Sequence, residues 1–131
     1  MFDAELALSI LDQIDDALET IRCRTDNILS ASDFTDSPSG KEKLDGVCML
    51  FAAAGEALKH ADKISGGKLL SGYPEIDWKG AIGFRDIIVH HYFDIDAEAV
   101  FWIIANRLVP LSETVKKMIG DLRRDQEKPL L

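Results

Sequence analysis

The apolar residues of the N-terminal part of the chain recur in alternating steps of three and four, and this spacing strongly favours helices. Between residues 11 and 28 the series consists of Leu11, Ile14, Leu18, Ile21, Thr25 and Ile28, in which only the threonine is polar. Apolar residues at this interval lie along one side of an α-helix, which then packs against other elements over its whole length. We therefore predict a long first helix that ends near Ser30.

A second series with the same spacing predicts a second helix. It contains Leu44, Val47, Phe51, Ala54, Leu58 and Ala61. The segment 36–40 before it carries N-capping side chains and a proline, and Gly66-Gly67 follows it, so the helix should lie between these two breaks. The small residues at 52–55 would let another helix approach closely.

Two further helices are predicted in the C-terminal half. Pro74 suits the start of a third helix that runs from about Ile76 to His90. Asp94 and Asp96 are candidate N-caps for a fourth, which Pro110 should kink or split. Its apolar series is Val100, Ile103, Ile104, Leu108, Leu111, Val115, Met118 and Leu122.

The remaining chain adds no other kind of element. The charged residues from Arg123 onward, and 124–131 in particular, are predicted to be a flexible tail. No segment shows the two-residue alternation of a half-buried strand. The predicted fold is therefore one all-α domain over residues 1–131, an up-and-down bundle of four to five helices.

The charge balance narrows the possible partners. The 131 residues include 15 Lys and Arg and 23 Asp and Glu, which gives a formal charge of −8. This charge excludes extensive electrostatic binding to nucleic acid or to an anionic membrane. The longest apolar run, 100–105, is too short to cross a bilayer, and the acidic N terminus does not resemble a secretory signal. With two cysteines, Cys23 and Cys48, we expect a cytoplasmic protein with free, buried thiols.

The most unusual polar cluster lies at residues 83–92, GFRDIIVHHY. On a helix, Arg85 and Tyr92 would lie about 20° from eclipsed, whereas Arg85 and His90 would diverge by about 140°. Asp86 and His90 are four residues apart and could pair. Arg85 and His90 can face one substrate only if the helix unwinds near His90 or a second subunit completes the site. The helix end expected just beyond His90 favours unwinding.

These residue types suit phosphodiester chemistry. The Arg85 guanidinium can grip phosphate oxygens and offset the charge that develops in the transition state. His90 can move protons to and from the attacking and leaving oxygens, and Asp86 could hold its ring in one tautomer. RNA supplies its own nucleophile, the 2′-hydroxyl, so neither a metal nor a protein nucleophile is required.

A plainer interpretation is that Arg85, Asp86 and His90 form an ordinary set of surface ion pairs. The cysteines and histidines lack zinc spacing, no Glu-x-x-His pair is present, and the glycines lack a nucleotide-binding context, so no metal and no cofactor is predicted. Five other side chains that could react or bind a ligand are assigned to the surface, the core or a subunit interface. They are His60, His91, Trp78, Phe101 and Trp102.

A series of short motifs runs through the middle of the chain. In order, it comprises GEA at 55–57, YPEIDW at 73–78, IGFRD at 82–86, YFDID at 92–96, Val100-x-x-Ile103 and Leu108-x-Pro110-Leu111. Within it, Arg85, His90 and Tyr92 form an Arg-x4-His-x-Tyr motif. Over roughly residues 44–115 this series resembles the HepT-like branch of the HEPN ribonucleases. The ordered series is far more specific than the three-residue motif.

The resemblance implies a homodimeric toxin of a type VII toxin–antitoxin pair, with its motif residues in a cleft between subunits. Its partner would be a minimal nucleotidyltransferase antitoxin that silences it by adenylylating Tyr92. Arg85 and His90 would be the catalytic pair. The wider family often has asparagine where this chain has Asp86, which adds negative charge beside the phosphate site.

Together these observations predict a metal-independent endoribonuclease that acts on RNA through attack by the 2′-hydroxyl. Arg85 from each of two subunits could form a local positive patch within the acidic exterior. The alternative is a non-catalytic helical subunit that binds the nucleotidyltransferase. A bundle that binds a small ligand is a third hypothesis, for which only the apolar core speaks.

Overall fold

The computed structural model describes residues 2–127, and every regular element in that range is helical. The predicted all-α class is therefore confirmed. The α-helices are Ala4–Arg24 (α1), Ser32–Thr35 (α2), Pro38–Ile64 (α3), Lys68–Ser71 (α4), Trp78–His90 (α5), Ala97–Asn106 (α6) and Leu108–Glu127 (α7), and a 3₁₀ turn spans Tyr92–Asp94. Five of them are long, and the one-turn helices α2 and α4 lie between the helices that the sequence predicted.

Side-chain caps explain where four of the long helices begin. In each case an oxygen of the N-cap residue accepts a hydrogen bond of 3.0 Å from a backbone N–H two or three residues later. Such a cap stabilises a helix by about 1 kcal/mol because it satisfies a donor that the helix leaves free. The cap residues are Asp3, Ser37, Asp77 and Asp96. The breaks predicted at 36–40 and 94–96 are confirmed.

Helix α1 ends earlier than the sequence suggested. The periodic series continues to Ile28, but the last helical residue is Arg24, and Thr25 follows as the C-cap, with its N–H and its hydroxyl both donating to the Ile21 carbonyl. The Asp33 carboxylate then accepts a hydrogen bond from the backbone N–H of Leu29, which holds the chain in a turn. Thr25 and Ile28 are buried as predicted, although Ile28 lies outside the helix.

The core lies between α1, α3 and α7. Helix α3 packs against α1 and also against α5, α7 covers α1, and α6 packs on α7 and α2. The predicted apolar faces of the first two long helices are buried. Side chains with at most 1 % exposure include Leu11, Ile14, Leu18, Ile21, Phe34, Val47, Leu58, Val115 and Met118.

The predicted interruption at Pro110 is confirmed as a split. Helix α6 ends at Asn106 and α7 begins at Leu108, so that Pro110 falls in the first turn of α7, where its missing N–H is tolerated. Helix α7 continues to Glu127, so the tail predicted from Arg123 is helical over its first five residues. The rest of that predicted tail, residues 128–131, lies outside the described range.

The two thiols differ in their surroundings. Cys48 is buried, as predicted, and desolvation together with the nearby Asp45 carboxylate raises its pKa to about 11. The predicted burial of Cys23 is wrong: it lies two residues after Ile21 on the opposite, solvent-facing side of α1. None of the helices within 2–127 is long and apolar enough to cross a membrane.

Candidate active site

The position of the Arg85 Cβ atom is fixed by a close approach of α5 to α3. A Cβ on Gly55 would lie 3.1 Å from the Arg85 Cβ and 3.3 Å from the carbonyl oxygen of Ala81. Any side chain larger than hydrogen at position 55 would therefore push the two helices apart. This contact accounts for the glycine in the GEA motif and brings α3 directly against the helix that carries the candidate residues.

The guanidinium of Arg85 lies between two carboxylates. Its Nε atom is 3.4 Å from Glu56 Oε2 on α3, and one terminal nitrogen is 2.9 Å from Asp86 Oδ1 on α5. The three side chains remain 39 %, 58 % and 66 % exposed for Arg85, Glu56 and Asp86. Arg85 is thus an accessible cation whose charge is locally offset by two flexible acidic side chains.

His90 is exposed near the end of the same helix. Its Nδ1 lies 3.2 Å from the backbone carbonyl oxygen of Asp86. A carbonyl oxygen can only accept, so this hydrogen bond requires a proton on Nδ1 and leaves the lone pair of the neutral ring on Nε2. The imidazole is therefore held in the tautomer that a general base on the Nε2 side needs.

The predicted contact between the Asp86 carboxylate and the His90 ring is not among the hydrogen bonds formed. The Asp86 carboxylate turns instead to Arg85, and the backbone of Asp86 holds the ring. The i to i+4 spacing that placed the two side chains as neighbours also places the imidazole over the helix carbonyl.

Arg85 and His90 do not share a face of α5. The helix stays regular through His90 and is capped at His91, so unwinding before His90, one of the two routes that would bring the residues together, is not observed. Because the two positions are five apart along an intact helix, their directions differ by about 140°. Arg85 faces α3, whereas His90 is anchored on its own helix.

An apolar patch borders these residues. Tyr92, in the 3₁₀ turn, is 52 % exposed and packs edge-on against Phe93, with ring centroids 5.6 Å apart. Phe93 is fully exposed, and Ile87 and Val89 on α5 are more than half exposed. Helix α5 itself buries only Ile88 to the level of the core. We refer to Ile87, Val89, Tyr92 and Phe93, which extend around more than one side of α5, as the α5 patch.

The loop before α5 is fastened to α7. The Tyr73 hydroxyl donates a hydrogen bond of 2.7 Å to Asp121, and the indole N–H of Trp78 donates to the Tyr73 carbonyl. Burial, followed by the hydrogen bond to Asp121, raises the pKa of the Tyr73 phenol, and the same hydrogen bond lowers the pKa of Asp121. These contacts explain the tyrosine and the second aromatic residue of the YPEIDW motif.

The other sequence candidates lie away from Arg85 and His90 or at the surface. His60 and His91 are exposed as expected, and His91 Nδ1 lies 3.9 Å from Asp94 Oδ1. Trp78 is partly buried, but Trp102 is 51 % exposed and is not part of the core. Glu56 was not proposed as a site residue: its pairing with Arg85 joins positions 29 apart, and spacing within one helix cannot reveal such a contact.

Comparison with known proteins gives this geometry a family context. The family model described as "Ribonuclease HepT-like" matches residues 10–118. The protein named Putative RNase MJ0127 from Methanocaldococcus jannaschii is 29 % identical over 76 residues, which cover 58 % of this chain and 60 % of that relative. The match thus spans about three fifths of the relative's length. No solved structure matches the chain. Because the family model covers most of its length, the chain belongs to the HepT-like ribonuclease family.

Proposed function

We propose that this protein is a metal-independent endoribonuclease and the toxin of a toxin–antitoxin pair. The observation that carries the proposal is that one exposed helix bears both an anchored imidazole at His90 and an accessible guanidinium at Arg85. Membership of the HepT-like family and the relative's RNase name support the same class of activity.

The proposed reaction uses the nucleophile that RNA carries. His90 Nε2 takes the proton from a 2′-hydroxyl, whose oxygen forms a bond to the adjacent phosphorus while the bond to the 5′ oxygen breaks. The leaving 5′ oxygen receives a proton from a second imidazole or from water. The products are a 2′,3′-cyclic phosphate and a 5′-hydroxyl. Arg85 stabilises the additional negative charge on the pentacoordinate phosphorus group.

For this role, Arg85 must exchange at least one carboxylate for a phosphate. Asp86 and Glu56 are both more than half exposed, so their contacts with the guanidinium are weak surface ion pairs that a bidentate phosphate can replace. We expect RNA binding to be weak and salt-sensitive, in keeping with the formal charge of −8.

The proposal includes a homodimer. Since Arg85 and His90 diverge on an unbroken helix, a second copy that packs on the α5 patch is the remaining way to bring an arginine and a histidine to one phosphate. The fully exposed Phe93 and the half-exposed Ile87 and Val89 provide apolar area for such a contact. In the dimer, Arg85 of one subunit would act with His90 of the other.

Regulation would act at Tyr92. Tyr92 is 52 % exposed in the single chain, where its hydroxyl is open to modification by a minimal nucleotidyltransferase antitoxin. Attached AMP would add bulk and negative charge beside the substrate phosphate and repel it. Co-expression with such an enzyme should add the mass of one AMP per chain, and Tyr92→Phe should abolish the addition. An addition that survives Tyr92→Phe contradicts this assignment.

The decisive experiment compares two adjacent histidines. His90→Ala should abolish RNA cleavage and growth toxicity, whereas His91→Ala, which removes an equally exposed imidazole one residue away, should retain both. Arg85→Ala should also be inactive, with an unchanged circular dichroism spectrum. Cleavage by His90→Ala at the wild-type rate contradicts the mechanism.

One observation favours the second candidate, a non-catalytic subunit that binds the nucleotidyltransferase. The Arg85 charge is offset by two carboxylates, as in an ordinary structural ion-pair cluster, and the α5 patch beside it is suited to protein contact. A purified dimer that binds the nucleotidyltransferase, but cleaves neither tRNA nor mRNA over a range of salt concentrations, would establish this function instead.

A further inference from the structure

A cavity of about 320 Å³ lies between α5 and the α6–α7 break. It exists because α5 packs mainly on α3, while α6 packs on α7 and α2, so the two sides do not close on each other. Its walls are largely apolar and include Phe51, Phe84, Trp102 and Ile103. A volume of this size holds a single nucleobase with its sugar.

Two charged side chains on the lining of the cavity are available to a ligand. The Arg107 guanidinium lies 5.0 Å from the centre of the Trp102 ring and forms no ion pair with any residue in 2–127. Glu75 forms neither a hydrogen bond nor an ion pair within the described part of the chain. Asp77, which also lines the cavity, already caps α5 through Gly80. As far as the described residues go, a cation and a carboxylate without ionic partners therefore share one apolar cavity.

The cavity reaches the root of Arg85. Gly55 and Phe84 both line it, and the Cβ position of Gly55 is 3.1 Å from the Arg85 Cβ. Phe84 directly precedes Arg85 and packs edge-on against Phe51. The base of the Arg85 side chain thus adjoins the cavity wall, and a strand with its phosphate at the guanidinium would place a neighbouring nucleotide on this side of the molecule.

We infer that this cavity binds the base of one unpaired nucleotide of the RNA substrate, and that guanine is preferred; the inference rests on the proposed ribonuclease function. The face of the Trp102 indole that Arg107 does not cover offers a stacking surface, as aromatic side chains do for unpaired bases. Arg107 offers a cation to the phosphate of that nucleotide. The Glu75 carboxylate accepts from the N1–H and the 2-amino group of guanine, two adjacent donors that adenine, cytosine and uracil do not present together.

The test is a titration of wild-type protein with GMP, AMP, CMP and UMP, followed by tryptophan fluorescence and by calorimetry. Trp78 and Trp102 are the two tryptophans, so the part of the quench that disappears in Trp102→Phe reports on the cavity. We expect GMP to quench Trp102 saturably and to bind roughly 10-fold more tightly than the other three, as a charge-assisted pair of hydrogen bonds allows.

Matched variants separate recognition from general charge effects. Glu75→Gln should lower GMP affinity roughly 10-fold and remove the preference for guanine, whereas Glu113→Gln, an exposed carboxylate on α7 away from the cavity, should leave both unchanged. Arg107→Ala should weaken all four nucleotides alike, while Arg22→Ala on α1 should not.

The results distinguish this inference from the proposed function. If none of the four nucleotides quenches Trp102 saturably, or if Glu75→Gln leaves the order of affinities unchanged, the inference is wrong, even when His90-dependent cleavage is intact. Equal binding of ribose 5-phosphate and GMP also overturns it, since a base would then contribute nothing. If GMP binds with the expected dependence on Glu75 but no RNA is cleaved, the cavity is a nucleotide site and the ribonuclease proposal fails.

Discussion

Under the proposed ribonuclease mechanism, replacing Asp86 by asparagine should accelerate the cleavage of RNA. Asp86 Oδ1 lies 2.9 Å from a terminal nitrogen of Arg85, where it occupies the guanidinium and repels an incoming phosphate. The substitution Asp86→Asn would keep the size and shape of the side chain and remove its charge. The ring of His90 is held by the backbone carbonyl of residue 86, so the substitution leaves the tautomer of the imidazole unchanged.

The size of the effect follows from the exposure of this carboxylate. Because the Asp86 side chain is 66 % exposed, its interactions are screened by solvent, and the effective dielectric constant is high. For a phosphate about 6 Å from the carboxylate and a dielectric constant between about 40 and 80, Coulomb's law gives roughly 0.7–1.4 kcal/mol of repulsion. Its removal corresponds to a roughly 3- to 10-fold increase in kcat/KM.

The assay is cleavage of a fluorescently labelled RNA at low and high salt. The advantage of Asp86→Asn should be largest near 50 mM salt and fall below about 2-fold at 1 M, where the Debye length is about 3 Å. Asp94→Asn is the matched control, because it removes the same charge from an 80 % exposed side chain beside His91. Slower cleavage by Asp86→Asn, or an equal gain in Asp94→Asn, would show that the Asp86 carboxylate does not act by occupying Arg85.

Three further predictions concern stability and reactivity. Gly55→Ala places a methyl group 3.1 Å from a side chain of α5 and should lower the free energy of unfolding by about 1–3 kcal/mol. Gly83→Ala has open space around it and should raise the free energy of unfolding by about 0.5–1 kcal/mol. Urea denaturation measures both changes. Because the folded-state pKa of Asp121 is lowered, its contribution to stability is present above its ordinary pKa and is lost as the pH falls through the folded value. Tyr73→Phe should flatten the loss of stability below about pH 4, as followed by acid denaturation. Iodoacetamide at pH 8 should label one thiol per native chain and two after unfolding, as intact mass will show, because Cys48 is buried with a pKa of about 11.

Local periodicity and capping predicted most of the fold. The apolar faces of α1 and α3 are buried, and the breaks at residues 36–40 and Pro110 lie where capping side chains and proline chemistry placed them. These features depend on residues within one or two helical turns, so the sequence displays them directly. The early end of α1 escaped prediction because Thr25 and Ile28 are buried and continue the apolar series, although both lie beyond Arg24, the last residue of the helix.

The sequence predicted which residues form the candidate site but not which hydrogen bonds and ion pairs they make. Spacing placed Asp86 next to both Arg85 and His90, and only the three-dimensional arrangement shows that its carboxylate lies on the arginine and its carbonyl on the histidine. The contact of Arg85 with Glu56 depends on how α3 and α5 pack, which in turn depends on Gly55. Interactions between helices of this kind are set by tertiary packing and leave no periodic trace in the sequence.

The shallow burial of α5 has a consequence for the dynamics of the molecule. Because α5 places only Ile88 in the core, local opening of this helix exposes little buried apolar surface. Its amides should therefore exchange with deuterium earlier than those of α1 or α3. Residues 78–90 would then form a segment of low local stability, while the loop at Tyr73 keeps their N-terminal end attached to α7. Binding of a proposed partner, either a second copy or an antitoxin, to the outer surface of α5 should therefore slow hydrogen exchange. The slowing should be strongest toward His90, where binding would stabilise the helix.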